Sequence, residues 1–123
     1  MFKLRYTAIQ VRDLEKAINF CTNVLGMRLT SRVKVPETKG EFATVRPADS
    51  DHHIEINWYE GQDYRSGDEL DHIAFEIADL TAAPSELAKK GITPISNTRE
   101  SKNSRCTYIT DPSGIWKELY EKT

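Results

Sequence analysis

An internal repeat limits the folds that this 123-residue sequence can adopt. Residues 6–14 align with residues 72–80, each residue lying 66 positions before its counterpart. A second match joins residues 54–56 to residues 117–119, 63 positions later. Duplication of one structural unit explains both matches, because they occur in the same order along the chain. The longer match contains three identical pairs, namely Ala8 and Ala74, Asp13 and Asp79, and Leu14 and Leu80.

The repeat predicts two modules, about residues 1–62 and 67–123, within a single domain that covers residues 1–123. The stretch between them, residues 60–67, is polar and contains glycine near both ends, which is typical of a linker. A chain of this length corresponds to one domain.

The first module has the pattern βαβββ. Residues 4–12 alternate in polarity and are rich in β-forming side chains, which predicts a strand. Asp13 is a typical N-cap for the helix that follows, and Gly26 is placed to end that helix. Further strands are predicted at residues 27–35, 42–46 and 53–59. One helix face is apolar at helical spacing and consists of Leu14, Ala17, Ile18, Cys21 and Leu25.

The second module repeats this order. A strand is predicted at residues 70–78, and Asp79 precedes a helix that begins late, near Pro84. Gly91 ends the helix after two lysines, whose charges suit a helix C-terminus. Strands are also predicted at residues 92–95, 106–110 and 116–121. The predicted fold class is therefore α+β, with two βαβββ modules; the alternative is an ordinary α+β domain with accidental self-similarity.

The composition argues against several classes of protein. The net charge is −2, from 17 basic and 19 acidic residues, so no broad positive field attracts nucleic acid or an anionic membrane. No apolar run reaches the roughly 20 residues of a membrane helix, and the N-terminus lacks the apolar core of a signal peptide. Cys21 and Cys106 lie far apart and form no pairing motif. We therefore expect a cytoplasmic protein without disulfides that binds neither nucleic acid nor membrane.

Four side chains are predicted to share one side of the sheets. Alternation along the strands places Tyr6 and His72 on the face opposite the helices. Glu55 and Glu118 each lie between neighbours that point to the helix side. If the modules pair about a pseudo-twofold axis, Tyr6 is related to His72 and Glu55 to Glu118. All four side chains then line one concave cavity bounded by sheet.

Other residues on these faces are candidates for substrate contact. His53 and Asn57 each stand two positions from Glu55 and share its face, and a strand junction is the alternative role for His53. Trp116 and Tyr120 each stand two positions from Glu118 on the same face and can form an aromatic wall. Ordinary core or dimer packing is the alternative for these two aromatic residues.

The predicted cluster has the chemistry of a metal site. One imidazole and two carboxylates, from His72, Glu55 and Glu118, suit a divalent ion such as Zn²⁺, Ni²⁺, Mn²⁺ or Fe²⁺. A bound metal would also offset the cost of burying a carboxylate. The alternative is that each acid lies on a solvated sheet face, as most charged residues do.

These motifs resemble the vicinal oxygen chelate superfamily, which contains glyoxalase I, extradiol dioxygenases and bleomycin-resistance proteins. Residues 11–14 (Val-Arg-Asp-Leu) and 24–27 (Val-Leu-Gly-Met) resemble the ends of the opening helix of glyoxalase I. Residues 71–75 (Asp-His-Ile-Ala-Phe) and 111–114 (Asp-Pro-Ser-Gly) fit the family equally well. The resemblance covers nearly the whole chain and implies paired βαβββ modules that form a cupped mixed sheet around a central cavity.

The resemblance implies four metal-ligand positions, which fall at Tyr6, Glu55, His72 and Glu118. The family has histidine at the first, so Tyr6 has three interpretations: a phenolate ligand, a hydrogen-bond donor beside an open metal position, or a mark of metal loss. The remaining ligand set is Glu55, His72 and Glu118. The arginine with which glyoxalase I holds the glutathione carboxylate falls roughly at Gln10.

The function implied is that of a metal-dependent lyase or isomerase like glyoxalase I, acting on a small substrate with vicinal oxygens through an enediolate. Glu118 or Glu55 is then the base that moves a proton on the adjacent carbon, and His72 is a fixed ligand. A metal-free small-molecule binding protein of the bleomycin-resistance type is the alternative. An extradiol-type dioxygenase is a third interpretation. The resemblance also implies a homodimer.

Overall fold

The computed structural model describes residues 4–64 and 72–122. The chain divides into two compact units, Met1–Arg65 and Ser66–Thr123, each with its own four-stranded mixed sheet. The division falls within the linker predicted at residues 60–67, whose last three residues lie outside the described part of the chain. That the two units form a single domain stays a prediction.

The first unit has the predicted βαβββ order. The elements are β1 (Tyr6–Gln10), α1 (Leu14–Asn19), β2 (Arg28–Val35), β3 (Gly40–Arg46) and β4 (His53–Tyr59). The sheet has the strand order β1-β4-β3-β2, in which β1 and β4 are parallel and the other pairs are antiparallel. A π-helical turn (Phe20–Val24) extends α1, and a short 3-10 turn (Pro36–Thr38) joins β2 to β3.

Local sequence signals explain where the first helix begins and ends. The side chain of Asp13 accepts a hydrogen bond from the Lys16 amide at 3.1 Å, which satisfies one free N–H of the first turn. Gly26 follows the helix with φ of 69°, a left-handed conformation that favours glycine. The Leu25 amide donates to the carbonyl of Phe20, five residues earlier, so Leu25 departs from α-helical spacing. Leu25 is accordingly half-buried, whereas the other four residues of the predicted apolar face are buried.

The second unit repeats the same order, so the α+β fold with two βαβββ modules is confirmed. The elements are β5 (His72–Glu76), α2 (Ala83–Ala88), β6 (Arg99–Glu100), β7 (Ser104–Thr110) and β8 (Trp116–Lys122). The strand order of this sheet is β5-β8-β7-β6, and β5 and β8 are the parallel pair. No helix in either described stretch has the length and apolar character that crossing a membrane requires.

The segment between α2 and β7 differs from the prediction. The late start of α2 is confirmed, since Pro84 lies in its first turn. The strand predicted at residues 92–95 is wrong, because Pro94 has no N–H to donate to a neighbouring strand. The amide of Ile95 still donates to the carbonyl of Tyr108 at 2.8 Å, and regular pairing of this segment with β7 begins at the two residues of β6.

The second unit contains a buried ion pair. Lys117 is only 2% exposed, and its Nζ lies 3.2 Å from Oδ2 of Asp111. The other carboxylate oxygen of Asp111 accepts hydrogen bonds from the amides of Ser113 and Ile115, each at 2.9 Å. Asp111 therefore both balances the charge of Lys117 and closes the turn between β7 and β8.

Glu121 joins β8 to the segment that precedes α2. Its Oε2 accepts hydrogen bonds from the Leu80 amide at 2.6 Å and from the Arg105 guanidinium at 2.8 Å. These two hydrogen bonds lower the pKa of Glu121, the Leu80 amide having the larger effect. Because the folded-state pKa lies below that of the unfolded chain, the contact stabilises the fold above the ordinary glutamate pKa. This stabilisation is lost as the pH falls through the lowered value.

We expect Glu121→Gln to lower the melting temperature at pH 7, and the difference from the natural protein to shrink at about pH 3, below the ordinary glutamate pKa of about 4.3. Glu86→Gln is the matched control, because the Glu86–Lys89 pair is 65% and 70% exposed and such pairs contribute little. Thermal unfolding followed by circular dichroism at both pH values measures the effect. An equal loss for Glu121→Gln at both pH values would contradict the proposed role of this carboxylate.

Candidate functional site

Two of the predicted metal ligands are in direct contact in the second unit. His72 begins β5, and Glu118 lies on the neighbouring parallel strand β8, opposite Ala74. Nε2 of His72 lies 2.9 Å from Oε2 of Glu118. Both side chains keep solvent access, at 30% and 22% exposure. The pair can therefore offer the lone pairs of one nitrogen and one oxygen to the same metal ion.

Tyr108, which the patterns above do not single out, belongs to the same cluster. It lies directly opposite Glu118 in the antiparallel pair β7–β8, and its hydroxyl donates a hydrogen bond to Oε2 of Glu118 at 3.4 Å. Burial, followed by the charge of Glu118, raises the pKa of Tyr108, so the phenol stays protonated at neutral pH. The turn at residues 111–114 is the signal that could have found it, since counting outward along both strands pairs Tyr108 with Glu118.

Of the two aromatic residues beside Glu118, Trp116 contacts this cluster. Trp116 is exposed, and its ring centroid lies 5.5 Å from that of Tyr108 at an interplanar angle of 53°. Tyr120 is half-buried and stands opposite Cys106 on β7. Alternation along β8 assigns both aromatic residues to the face of Glu118.

In the first unit, Tyr6 and His53 form a stacked pair. They are register partners on the parallel strands β1 and β4, with ring centroids 5.0 Å apart and planes 22° apart. Partial burial, followed by the charge of Arg46, lowers the pKa of His53, so its ring is neutral at pH 7. The ring of His52 has a different partner, because its Nε2 lies 2.9 Å from the Thr7 hydroxyl.

The remaining predicted residues of the first unit lie farther along β1 and β4. Glu55 is half-buried opposite Ala8, and Asn57 stands opposite Gln10. Oδ1 of Asn57 is buried and has no hydrogen-bond partner among the described residues. Nε2 of Gln10 donates to the side chain of Gln62 at 3.2 Å. An unpaired buried acceptor is costly, so Asn57 is suited to receive a hydrogen bond from a ligand or water.

The predicted site residues thus form two groups, one in each unit. The first group contains Tyr6 and His53, and the second contains His72 and Glu118. In neither unit do the described residues gather three His, Cys, Asp or Glu side chains that could hold a metal ion. The grouping of Glu55 with the other two predicted ligands stays a prediction.

The sequence matches one protein family and several curated enzymes. A family model described as the Glyoxalase/Bleomycin resistance protein/Dioxygenase superfamily matches residues 3–119. Lactoylglutathione lyase of Salmonella typhimurium is 30% identical over 124 residues, which cover 97% of this chain and 92% of that enzyme. Lactoylglutathione lyase of Escherichia coli O157:H7 is 30% identical over 125 residues, with 98% and 93% coverage.

Solved structures share the fold over almost the entire chain. The trypanothione-dependent glyoxalase I of Leishmania major superposes with a TM-score of 0.82 at 26% identity, covering 98% of this chain and 87% of that one. TnmS3, an antibiotic binding protein from Streptomyces sp. CB03234, superposes with a TM-score of 0.80 at 18% identity, covering 100% and 98%. The second likeness concerns the fold alone.

Proposed function

The chain belongs to the Glyoxalase/Bleomycin resistance protein/Dioxygenase superfamily, and on this basis we propose that it is a metal-dependent lyase or isomerase of the glyoxalase I type. Its similarity to lactoylglutathione lyases at 30% identity supports a glyoxalase-type function. The proposed substrate is a small molecule with vicinal oxygens that reacts through an enediolate. The observation that carries the proposal is the direct contact between His72 and Glu118.

His72 and Glu118 have the donor types and the spacing that a divalent ion requires. Two donors that bind one ion at adjacent positions, with bonds of about 2.0–2.2 Å, lie about 3 Å apart. Nε2 of His72 and Oε2 of Glu118 are 2.9 Å apart. We propose Glu55 as the third ligand, because it stands opposite Ala8 in its sheet as Glu118 stands opposite Ala74 in the other. One imidazole and two carboxylates suit Zn²⁺, Ni²⁺, Mn²⁺ or Fe²⁺.

In this proposal the third ligand, Glu55, has two possible sources. Glu55 can come from the same chain or from a second copy in a homodimer. The family resemblance favours a homodimer. Both arrangements predict the same ligand types. Mixing Glu55→Ala protein with His72→Ala protein distinguishes them, because a mixed dimer regains one complete ligand set only when the ligands come from two chains.

The proposed chemistry assigns a role to each predicted site residue of the second unit. A divalent ion held by these residues would supply Lewis-acid polarisation of the substrate. Glu118 accepts a proton from the carbon beside the substrate carbonyl and returns it to the carbonyl carbon, while the hydroxyl proton passes from one substrate oxygen to the other, so the isomerisation needs no external oxidant. Glu55 is the alternative base because of its equivalent position. His72 is a fixed ligand, while Trp116 and Tyr120 form an aromatic wall against the substrate.

Four residues of the first unit are proposed substrate contacts. The phenol of Tyr6 is a hydrogen-bond donor, and His53 supports its ring. Asn57 offers a buried acceptor that the described residues leave unpaired. Gln10 is uncharged, so its side-chain amide offers a hydrogen bond to the substrate and does not offer a positive charge to a substrate carboxylate.

A metal-free binding protein is the second candidate function. The observation that favours it is the stacked pair of Tyr6 and His53, which presents an aromatic surface. A flat aromatic ligand can stack against such a surface without any metal. In this alternative, Glu55, His72 and Glu118 supply polar contacts only.

Metal analysis of the protein purified without a histidine tag tests the proposal. We expect stoichiometric divalent metal, and a higher melting temperature when Zn²⁺, Ni²⁺, Mn²⁺ or Fe²⁺ is added to the metal-free protein. Elemental mass spectrometry and thermal unfolding provide the two measurements. No bound metal together with an unchanged melting temperature would favour the binding protein.

The same metal-loaded samples then distinguish the classes of reaction. We expect turnover of a hemithioacetal formed from at least one of several thiols, and no turnover of catechols. Chelator-treated protein is the control, and it should be inactive. Catechol cleavage with consumption of oxygen would contradict the lyase and favour a dioxygenase.

A further inference from the structure

We propose that Tyr108 is a positioning residue for Glu118, an inference that rests on the proposed function because Glu118 is its base and metal ligand. The Tyr108 hydroxyl holds one carboxylate oxygen of Glu118 in the orientation that also meets His72. Tyr108 therefore acts through Glu118 and need not contact the substrate itself. Its hydroxyl sets where the carboxylate points.

The geometry of the strand pair brings the hydroxyl to the carboxylate. Tyr108 and Glu118 are direct partners in the antiparallel pair β7–β8, so their side chains leave the same face of the sheet. The hydroxyl lies 3.4 Å from Oε2 of Glu118, the same oxygen that lies 2.9 Å from Nε2 of His72. The hydroxyl and the imidazole thus converge on a single oxygen, which restricts rotation of the carboxylate about its last bond.

Ring contacts fix the position from which the hydroxyl acts. The ring of Tyr108 meets the imidazole of His72 edge-on, with centroids 5.5 Å apart and planes at 87°. The ring of Trp116 lies at the same centroid distance on a tilted plane. These contacts involve the ring and not the hydroxyl, so Tyr108→Phe keeps them. The substitution therefore isolates the hydrogen bond to Glu118.

The shared oxygen also has a consequence for proton transfer. Both contacts are made to Oε2 of Glu118, so the other carboxylate oxygen can take the proton from carbon while Oε2 keeps its partners. The Tyr108 hydroxyl holds the carboxylate in this orientation without contacting the substrate, so its loss should affect turnover more than substrate affinity.

Tyr108→Phe tests the inference first through metal affinity. We expect the dissociation constant for Ni²⁺ or Zn²⁺ to rise about 10-fold, the lower end of the effect of removing a partner that orients a ligand. If a hemithioacetal is turned over, kcat should fall while KM changes little. Tyr59→Phe is the matched control, because Tyr59 is also half-buried and packs edge-on, against Phe42 in the other unit. We expect it to leave the dissociation constant unchanged.

A double-mutant cycle on the metal-free protein tests the contact independently of the proposed function. We expect Tyr108→Phe to lower the melting temperature by about 2–4 °C in the natural background and by nothing in a Glu118→Ala background. Equal losses in both backgrounds, or an unchanged metal affinity in a Tyr108→Phe protein whose parent binds metal, overturn the inference. If the natural protein binds no metal, the proposed function fails, and the cycle alone decides whether Tyr108 positions Glu118.

Discussion

Asp111→Ala is expected to lower the free energy of unfolding by about 3–5 kcal/mol, as in other proteins where one partner of a buried ion pair is removed. Without the carboxylate, Nζ of Lys117 is left as a charge in a place that is 2% exposed. The amides of Ser113 and Ile115 lose their acceptor at the same time. Urea unfolding at pH 7, followed by fluorescence of the tryptophans, measures the loss.

Two further variants separate the ion pair from the other effects of the substitution. In Asp111→Ala combined with Lys117→Met, no buried charge remains, so we expect the double variant to be more stable than Asp111→Ala alone. Asp49→Ala is the matched control, because Asp49 is exposed, and we expect a change within about 0.5 kcal/mol. A loss below about 1 kcal/mol for Asp111→Ala would show that the pair is not buried as described.

His72→Ala is expected to have the largest effect on metal binding. Loss of a partner that only orients a ligand costs about 10–100-fold in affinity, so loss of a ligand itself should exceed about 100-fold. The substitution also releases Glu118, whose Oε2 lies 2.9 Å from the lost Nε2. Competition with a chelator of known affinity measures the dissociation constant for each metal.

His52→Ala is the matched control for this experiment. The His52 ring lies against the Thr7 hydroxyl and is not a proposed ligand, so its removal should leave the metal affinity of the protein unchanged. Glu118→Ala should reproduce the loss seen for His72→Ala, because both residues contribute donors to the same ion. A metal that binds His72→Ala as tightly as the natural protein would exclude His72 from the ligand set, even if the lyase activity were confirmed.

The repeat and the strand alternation were enough to predict most of the fold. Period-two patterning is local information, so it places Glu55 and Glu118 on the correct faces without knowledge of the whole structure. The cap at Asp13 and the late helix start at Pro84 are also local, and both are confirmed. The strand predicted at residues 92–95 is wrong because the prediction relied on β propensity, whereas Pro94 has no N–H to donate to a neighbouring strand.

The candidate site was less predictable, because contacts between strands depend on register. Lys117 occupies a position that alternation assigns to the core, and a lone lysine there has no explanation until Asp111 is brought across the turn. Tyr108 reaches Glu118 only once the register of β7 and β8 is known. Alternation placed His72 and Glu118 on the same face of one module, but their direct contact depends on the pairing of β5 with β8.

The two parallel strand pairs also differ in which strand carries the imidazole. On β1 and β4 the aromatic Tyr6 lies on the earlier strand and His53 on the later one, whereas on β5 and β8 His72 comes first and Trp116 second. Residues opposite one another in a parallel pair serve the same face of the sheet. Point substitutions at paired positions can therefore place a histidine on either of two neighbouring strands. The two halves of this protein can differ in chemistry in this way while they keep the same strand order.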